Sequence, residues 1–149
     1  MTERIFFSHS EDDTRELGKK LGENLCEGLC VLLYGDLGAG KTVLVRGVGE
    51  ALGISCVRSP SFTLINEYES DSGLMVIHAD LYRLGENDTG SLGLEEYEDS
   101  ALFVEWPERW RNPPVDDVLK VYISSVSESE REVKILAQGE RAEGVLKKL

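Results

Sequence analysis

The chain has 149 residues, with 28 Asp and Glu against 16 Lys and Arg and a formal net charge of −12. That length suits one domain with a real core and leaves little room for a second. The acidic balance argues against tight nonspecific nucleic-acid binding, which needs cations to displace counterions, but leaves open a role in nucleic-acid metabolism through a protein partner.

No apolar run approaches a membrane span. Glu3 and Arg4 lead straight into the short run Ile5-Phe6-Phe7, unlike a secretory leader, so the expected location is the cytosol. Cys26, Cys30 and Cys56 lack zinc-ligand spacing and read as reduced packing thiols.

Taken in order, Ile5–Phe7 predicts a first strand. Ser10 fits a helix N-cap, with Glu11, Asp12 and Asp13 where the helix dipole favours acids. Leu17, Leu21 and Leu25 give that helix one apolar face, and Gly28 closes it. Leu29 to Tyr34 is an unbroken apolar run, the signature of a buried parallel strand. After it, Gly35-Asp36-Leu37-Gly38-Ala39-Gly40-Lys41-Thr42 fits G-x-x-x-x-G-K-[ST]. A second helix over Thr42–Leu52 follows, with Gly53 as its C-cap. Strand, glycine loop and helix are the context in which backbone N–H groups and a helix N-terminus cradle phosphate oxygens. Lys41 would bridge the β- and γ-phosphates, and the Thr42 hydroxyl would ligate Mg²⁺.

Pro60 marks an extended, hydroxyl-rich loop over Val57–Ser61, either a plain loop or a segment close to the γ-phosphate, with a strand beginning near Phe62. Asp71-Ser72-Gly73 is a turn, and Leu74–Ala79 completes a hairpin. Asp80 follows at a strand's carboxyl end, where α/β sheets hold ligands; it either serves the reaction or caps the next turn. His78 reads as a half-buried strand residue rather than a base. Gly85–Gly93 predicts an exposed, mobile loop, and Leu94–Glu98 a short helix. Ala101–Glu105 is an apolar strand ending in an acid, the pattern whose carboxylate completes a magnesium shell. Pro107 stops that strand and starts a helix over Glu108–Arg111, while Trp106 and Trp110 read as packing residues. Val118–Ile123 and Glu132–Ala137 alternate apolar and polar residues, as a terminal hairpin does, and Glu140–Leu149 reads as a short helix. Together these predict a P-loop NTPase-like three-layer α/β/α domain with a mixed, centrally parallel sheet.

A D-x-x-G segment after a strand and an N-K-x-D base-reading segment are both missing, which disfavours a regulatory GTPase. No arginine-studded lid insertion of the small-molecule kinase kind is present.

With these pieces in place, the chain resembles the TsaE (YjeE-type) family of small bacterial P-loop ATPases. The resemblance rests on the loop at 35–42, Ser59-Pro60-Ser61-Phe62-Thr63-Leu64, His78-Ala79-Asp80-Leu81-Tyr82-Arg83-Leu84, Leu92-Gly93-Leu94 and Val104-Glu105-Trp106-Pro107, in order and across essentially the whole chain. It implies binding and slow hydrolysis of ATP with Mg²⁺ in tRNA threonylcarbamoyladenosine biosynthesis, alongside the partner proteins TsaB and TsaD. It further implies that Thr42 and Glu105 are metal ligands. Lys41, Asp80 and Glu105 would be catalytic, with either acid positioning the attacking water. Asp36, Leu37, Gly38, Ala39, Gly40, Lys41, Thr42 and Val43 would hold the nucleotide, bordered by Glu11 and Arg131. Ser59, Pro60, Ser61, Phe62 and Thr63 would form a switch-like segment, and Arg83 is the nearest candidate for an arginine finger. A nucleotide-gated binding module with negligible hydrolysis and a small-molecule kinase remain alternatives.

Overall fold

A computed structural model of the chain describes residues 2–36, 38–55, 57, 60, 64–84, 93–94 and 97–149. In chain order the elements are β1 (Thr2–Ser8), α1 (Glu11–Glu23), β2 (Cys30–Tyr34), α2 (Lys41–Ala51), β3 (Ile65–Glu69), β4 (Met75–Asp80), β5 (Ala101–Glu105), β6 (Val118–Ser125), β7 (Arg131–Gln138) and α3 (Glu140–Lys147). A 3₁₀ turn spans Pro107–Arg109.

The seven strands form one sheet in the order β1-β7-β6-β2-β5-β4-β3. Its centre is parallel: β2 lies between β6 and β5, and β4 runs parallel to β5. Both edges are antiparallel, through the β3–β4 hairpin on one side and the β6–β7 hairpin with β1 on the other. The central strands are buried on both faces, which is why β2 and β5 read as unbroken apolar runs rather than alternating ones. The chain leaves β2 toward neighbours on either side, so a crevice opens at the carboxyl ends of β2, β4 and β5.

One face of the sheet carries all three helices. Val31, Leu33, Phe103, Leu119 and Ile135 pack there against Leu21 of α1, Leu44 and Val48 of α2, and Val145 and Leu146 of α3. The other face packs Cys30, Leu32, Ile77, Leu102 and Val104 against Leu94 and Trp110, with Tyr97 and Trp106 at its margin. The α/β class and the mixed sheet are as expected. Among the described residues, however, the second outer layer is irregular chain and the 3₁₀ turn, not α-helix. Pro107 lies at the first position of that turn, which ends by Trp110 instead of extending to Arg111 as a helix. No helix among the described residues is long and apolar enough to cross a membrane.

The helices α1 and α2 touch backbone to backbone. A Cβ on Gly18 would collide with the Leu44 carbonyl, and one on Gly47 with the Arg15 carbonyl. Only glycine permits that approach, and it carries the start of α1 to the phosphate loop. Ser10 caps α1 by accepting from the Asp13 N–H at 3.1 Å, and the Asp13 carboxylate accepts from the His9 N–H at 2.9 Å. The helix ends at Asn24, before Gly28. The strand expected near Phe62 is described from Ile65; Leu64 just before it has φ 70°, a left-handed kink, and still accepts from the Asp80 N–H of β4 at 2.9 Å, while Phe62 lies outside the described residues. Of the three thiols, Cys26 and Cys30 are free, and burial pushes Cys30 up to about 12, as for an inert packing thiol. Cys56, the loop over 85–92, and residues 95 and 96 within the expected Leu94–Glu98 helix lie outside the described residues.

Candidate nucleotide-binding site

The phosphate loop leaves the central strand β2 and enters α2 at Gly40, whose φ of 110° is left-handed and which offers no side-chain cap. The first N–H groups of α2 therefore stay open to an anion. Behind Gly40 the loop is tightened by an Ala39 N–H bond to the Asp36 carbonyl at 3.0 Å. Lys41 is only 5% exposed, and its Nζ donates to the Gly35 carbonyl at 2.8 Å. The same ammonium lies 4.3 Å from the centroid of the Trp106 ring. Burial lowers the Lys41 pKa, opposed chiefly by the carboxylates of Glu105 and Asp80.

Those two carboxylates end adjacent parallel strands. Asp80 of β4 is in register with Glu105 of β5, and both are buried. Asp80 Oδ1 accepts from the Tyr82 N–H at 2.9 Å, so this acid does cap the following turn while also facing the cavity. Glu105 leans toward the neighbouring strand, where its Oε2 meets His78 Nε2 at 2.6 Å. His78 is wholly buried, not half-buried as its strand pattern suggests. Immediately after Glu105, Trp106 adopts φ 56° and ψ 50°, a left-handed reversal that costs a non-glycine residue about 1–2 kcal/mol. The buried Pro107 and a tilted contact with Tyr82 at 4.9 Å accompany it.

A cavity of about 670 Å³ lies over the loop, a size suited to a small ligand. Gly38, Ala39, Gly40, Lys41, Thr42, Val43, Asp80, Glu105, Glu11 and Arg131 all line it. Asp36 does not; it is exposed and shapes the loop through its carbonyl. Pro60 is buried and accepts from the Leu64 N–H at 2.7 Å, away from the lining. Leu37, Ser59, Ser61, Phe62 and Thr63 lie outside the described residues. Arg83 is exposed and not part of the lining. Arg131 Nε donates to the Ala39 carbonyl at 3.1 Å, and its Nη1 donates to the carbonyls of Ser127, Glu128 and Glu130. This cation ties the β6–β7 turn to the phosphate loop.

Sequence reasoning missed Ser10, Thr14, Trp106, Glu128 and Ser129 in the lining. The Ser10-x-x-x-Thr14 spacing places both hydroxyls on one side of the first turn, a signal available in advance. The role of Trp106 depends on its backbone reversal, which no spacing announces.

The cavity suits a polyphosphate accompanied by a hard cation. Its lining carries two cations, Lys41 and Arg131, against the acids Glu11, Asp80, Glu105 and Glu128. Loop amides, the α2 N-terminus and Lys41 can hold phosphate oxygens. The Thr42 hydroxyl and the Asp80 and Glu105 carboxylates are oxygen donors of the kind Mg²⁺ takes. Among the described residues no three His, Cys, Asp or Glu side chains cluster as a metal cage. A Mg²⁺ here would draw its remaining ligands from phosphate and water, its usual habit.

A glycine loop between a central parallel strand and a helix, facing two strand-end acids, defines an α/β domain of the P-loop type. Comparison with known proteins narrows this class. The family model described as "Threonylcarbamoyl adenosine biosynthesis protein TsaE" matches residues 8–133, and the chain belongs to that TsaE family. It is 41% identical over 129 residues to the tRNA threonylcarbamoyladenosine biosynthesis protein TsaE of Aquifex aeolicus, covering 85% of this chain and 90% of that protein. The protein of the same name from Nostoc is 40% identical over 139 residues, covering 89% and 84%. Among solved structures, that of Bacillus subtilis YdiB superposes with a TM-score of 0.82 at 31% identity, covering 98% of this chain and 93% of that one.

Proposed function

We propose that the chain is a Mg²⁺-dependent ATPase of low turnover that acts in the formation of threonylcarbamoyladenosine in tRNA, together with proteins of the TsaB and TsaD kind. The observation that carries this reading is the meeting of Lys41, Thr42, Asp80 and Glu105 at one cavity, at the carboxyl ends of β2, β4 and β5. Family membership supplies the pathway; the −12 net charge fits reaching tRNA through partner proteins rather than by gripping it directly.

The reaction is in-line attack of water on the γ-phosphate. Loop amides and the α2 N-terminus orient the phosphates, and Lys41 neutralises charge that builds on their oxygens. To do so Lys41 leaves the Gly35 carbonyl and the Trp106 ring. Asp80 or Glu105 accepts a hydrogen bond from the attacking water and sets its line of approach. Thr42 and Glu105 would hold a Mg²⁺, which would supply further charge neutralisation at the phosphates.

The reading of a nucleotide-gated binding module with negligible hydrolysis draws on one observation. Apart from Lys41, Arg131 is the only cation lining the cavity among the described residues, and its Nη1 is committed to three carbonyls. Among the described residues no arginine stands ready for the transferring phosphoryl group, so fast turnover from these residues alone would need one from a partner.

The deciding experiment is phosphate release from ATP and from GTP, with and without a TsaB–TsaD pair, beside Lys41→Ala and Asp80→Ala. ATP-selective release that rises with the partners and vanishes in both variants supports the ATPase. ATP-dependent binding to the partners without release leaves the gated module. Failure of the partners to bind or to alter release removes the assigned role.

A further inference from the structure

We infer that His78 is a positioning residue that aims Glu105 at the metal. This rests on the Mg²⁺–nucleotide reading above and adds a residue to it. Asp80 and Glu105 end neighbouring strands in register, so their carboxylates repel; Asp80 is held by the Tyr82 N–H, and Glu105 needs a partner of its own to fix its direction. His78 lies two residues before Asp80 on the same face of β4. Its Nε2 takes Glu105 Oε2 at 2.6 Å, which draws the carboxylate diagonally away from Asp80 and fixes its rotamer. Glu105 Oε1 is left without a protein partner among the described residues, on a side chain that lines the cavity with Thr42. One oxygen anchored and one free is the arrangement that a directed metal ligand needs.

The burial of His78 supports the same reading. The imidazole is 0% exposed, and its Nδ1 has no hydrogen-bond partner among the described residues. An apolar side chain would fill this place without leaving a buried polar atom unpaired. Among the described residues the contact with Glu105 is the one polar interaction the ring gains there. Because a carboxylate oxygen accepts, Nε2 carries the hydrogen and Nδ1 stays bare; a hydrogen on Nδ1 would be a buried donor with no acceptor.

The test measures the affinity for a non-hydrolysable ATP analogue by calorimetry, across Mg²⁺ concentrations and in chelator. His78→Leu keeps bulk but removes the donor, and His78→Gln restores an N–H near the position of Nε2. In the leucine variant the Mg²⁺ concentration for half-maximal effect should rise about ten-fold or more, the usual result of freeing a metal ligand from its partner. Affinity in chelator should stay within about two-fold, and glutamine should recover most of the loss. In a Glu105→Gln background, His78→Leu should add nothing further to the Mg²⁺ requirement. A requirement that moves in neither variant overturns the inference, as does an equal loss with and without metal. Wild-type protein whose affinity ignores Mg²⁺ overturns the metal reading itself. If the leucine variant does not fold, imidazole ¹⁵N spectra of the intact protein decide. The expected pattern is a protonated Nε2 and a bare Nδ1, with both resonances moving when Mg²⁺ is added to the nucleotide complex. A bare Nε2, or resonances that ignore Mg²⁺, would rule the positioning role out.

Discussion

The two halves of the sheet divide the work. In the parallel half, every residue of β5 is buried, and each of β2, β5 and β4 runs into the site: β2 into the phosphate loop, β5 into Glu105 and β4 into Asp80. In the half built from β6, β7 and β1, side chains alternate. Val133, Ile135 and Ala137 face the helices, while Ile5, Phe7 and Tyr122 are exposed. The first half is apolar along its length and charged only at its ends, so it delivers polar groups to a single rim. The second is an amphipathic support, reaching the site through the turn residues Glu128 and Ser129 and through Arg131 at the start of β7. Chemistry and support should therefore separate under mutation.

The sharpest separation comes from Lys41→Met set against Ile135→Ala. Lys41→Met should cost at least about 10²-fold in ATP turnover, in line with losing one pre-aimed charge at a developing phosphate charge, with the fold intact. Turnover per folded molecule and circular dichroism measure the two sides. Ile135 is 1% exposed. Its replacement by alanine should lower unfolding free energy by about 2–5 kcal/mol, read from urea denaturation, while turnover per folded molecule stays within about two-fold. If Ile135→Ala removed turnover without unfolding the chain, the two halves would not be independent.

How far each half was legible follows from how locally it is encoded. The phosphate loop could be read almost completely, because its glycines, Lys41 and Thr42 are contiguous and their flanking elements are too. Asp80 and Glu105 were visible as acids ending apolar strands. Their adjacency was not, since β5 inserts between β2 and β4 and nothing in the intervening chain fixes that order. His78 was misread for the same reason: alternation along β4 assigns it a face, but its partner comes from a strand 27 residues later. The β6–β7 hairpin was plain from its alternation. That Arg131 borders the nucleotide was implied by the family resemblance, not by periodicity, and its bond to the Ala39 carbonyl was not foreseen. Within the described residues β3 runs from Ile65, just after the left-handed Leu64, and the start expected near Phe62 lies outside them.

Lys41→Met also carries a stability effect of opposite sign to its effect on turnover. Burial lowers the Lys41 pKa below 10.5 in the folded protein. Below both the folded and the unfolded value, the ammonium is charged in both states and the fold bears its full desolvation cost. Between the two values the unfolded chain binds more protons, so stability rises with pH across that window and the penalty is gone above 10.5. Methionine removes the penalty at every pH. The variant should melt higher than wild type at neutral pH, by less than Ile135→Ala lowers the melting point, and the gap should narrow as pH climbs toward 10.5. Scanning calorimetry over a pH series checks this. A variant that melts lower at neutral pH would mean that the Gly35 carbonyl and the Trp106 ring more than offset the cost of burying the ammonium.

The smallest effect belongs to the outer face of β1. Phe7 is 66% exposed there and Ile5 48%, across from Glu132 and Lys134 in register on β7. A side chain this exposed has already given up most of its hydrophobic gain, and threonine keeps the strand preference of a β-branched residue. Phe7→Thr should therefore change unfolding free energy by no more than about 0.5 kcal/mol and leave nucleotide affinity unchanged, by urea denaturation and calorimetry. A loss beyond about 1 kcal/mol would show that Phe7 is covered in solution, because only buried apolar area can return that much. The same measurement at several protein concentrations would then separate cover by another copy, which depends on concentration, from cover by the chain itself, which does not.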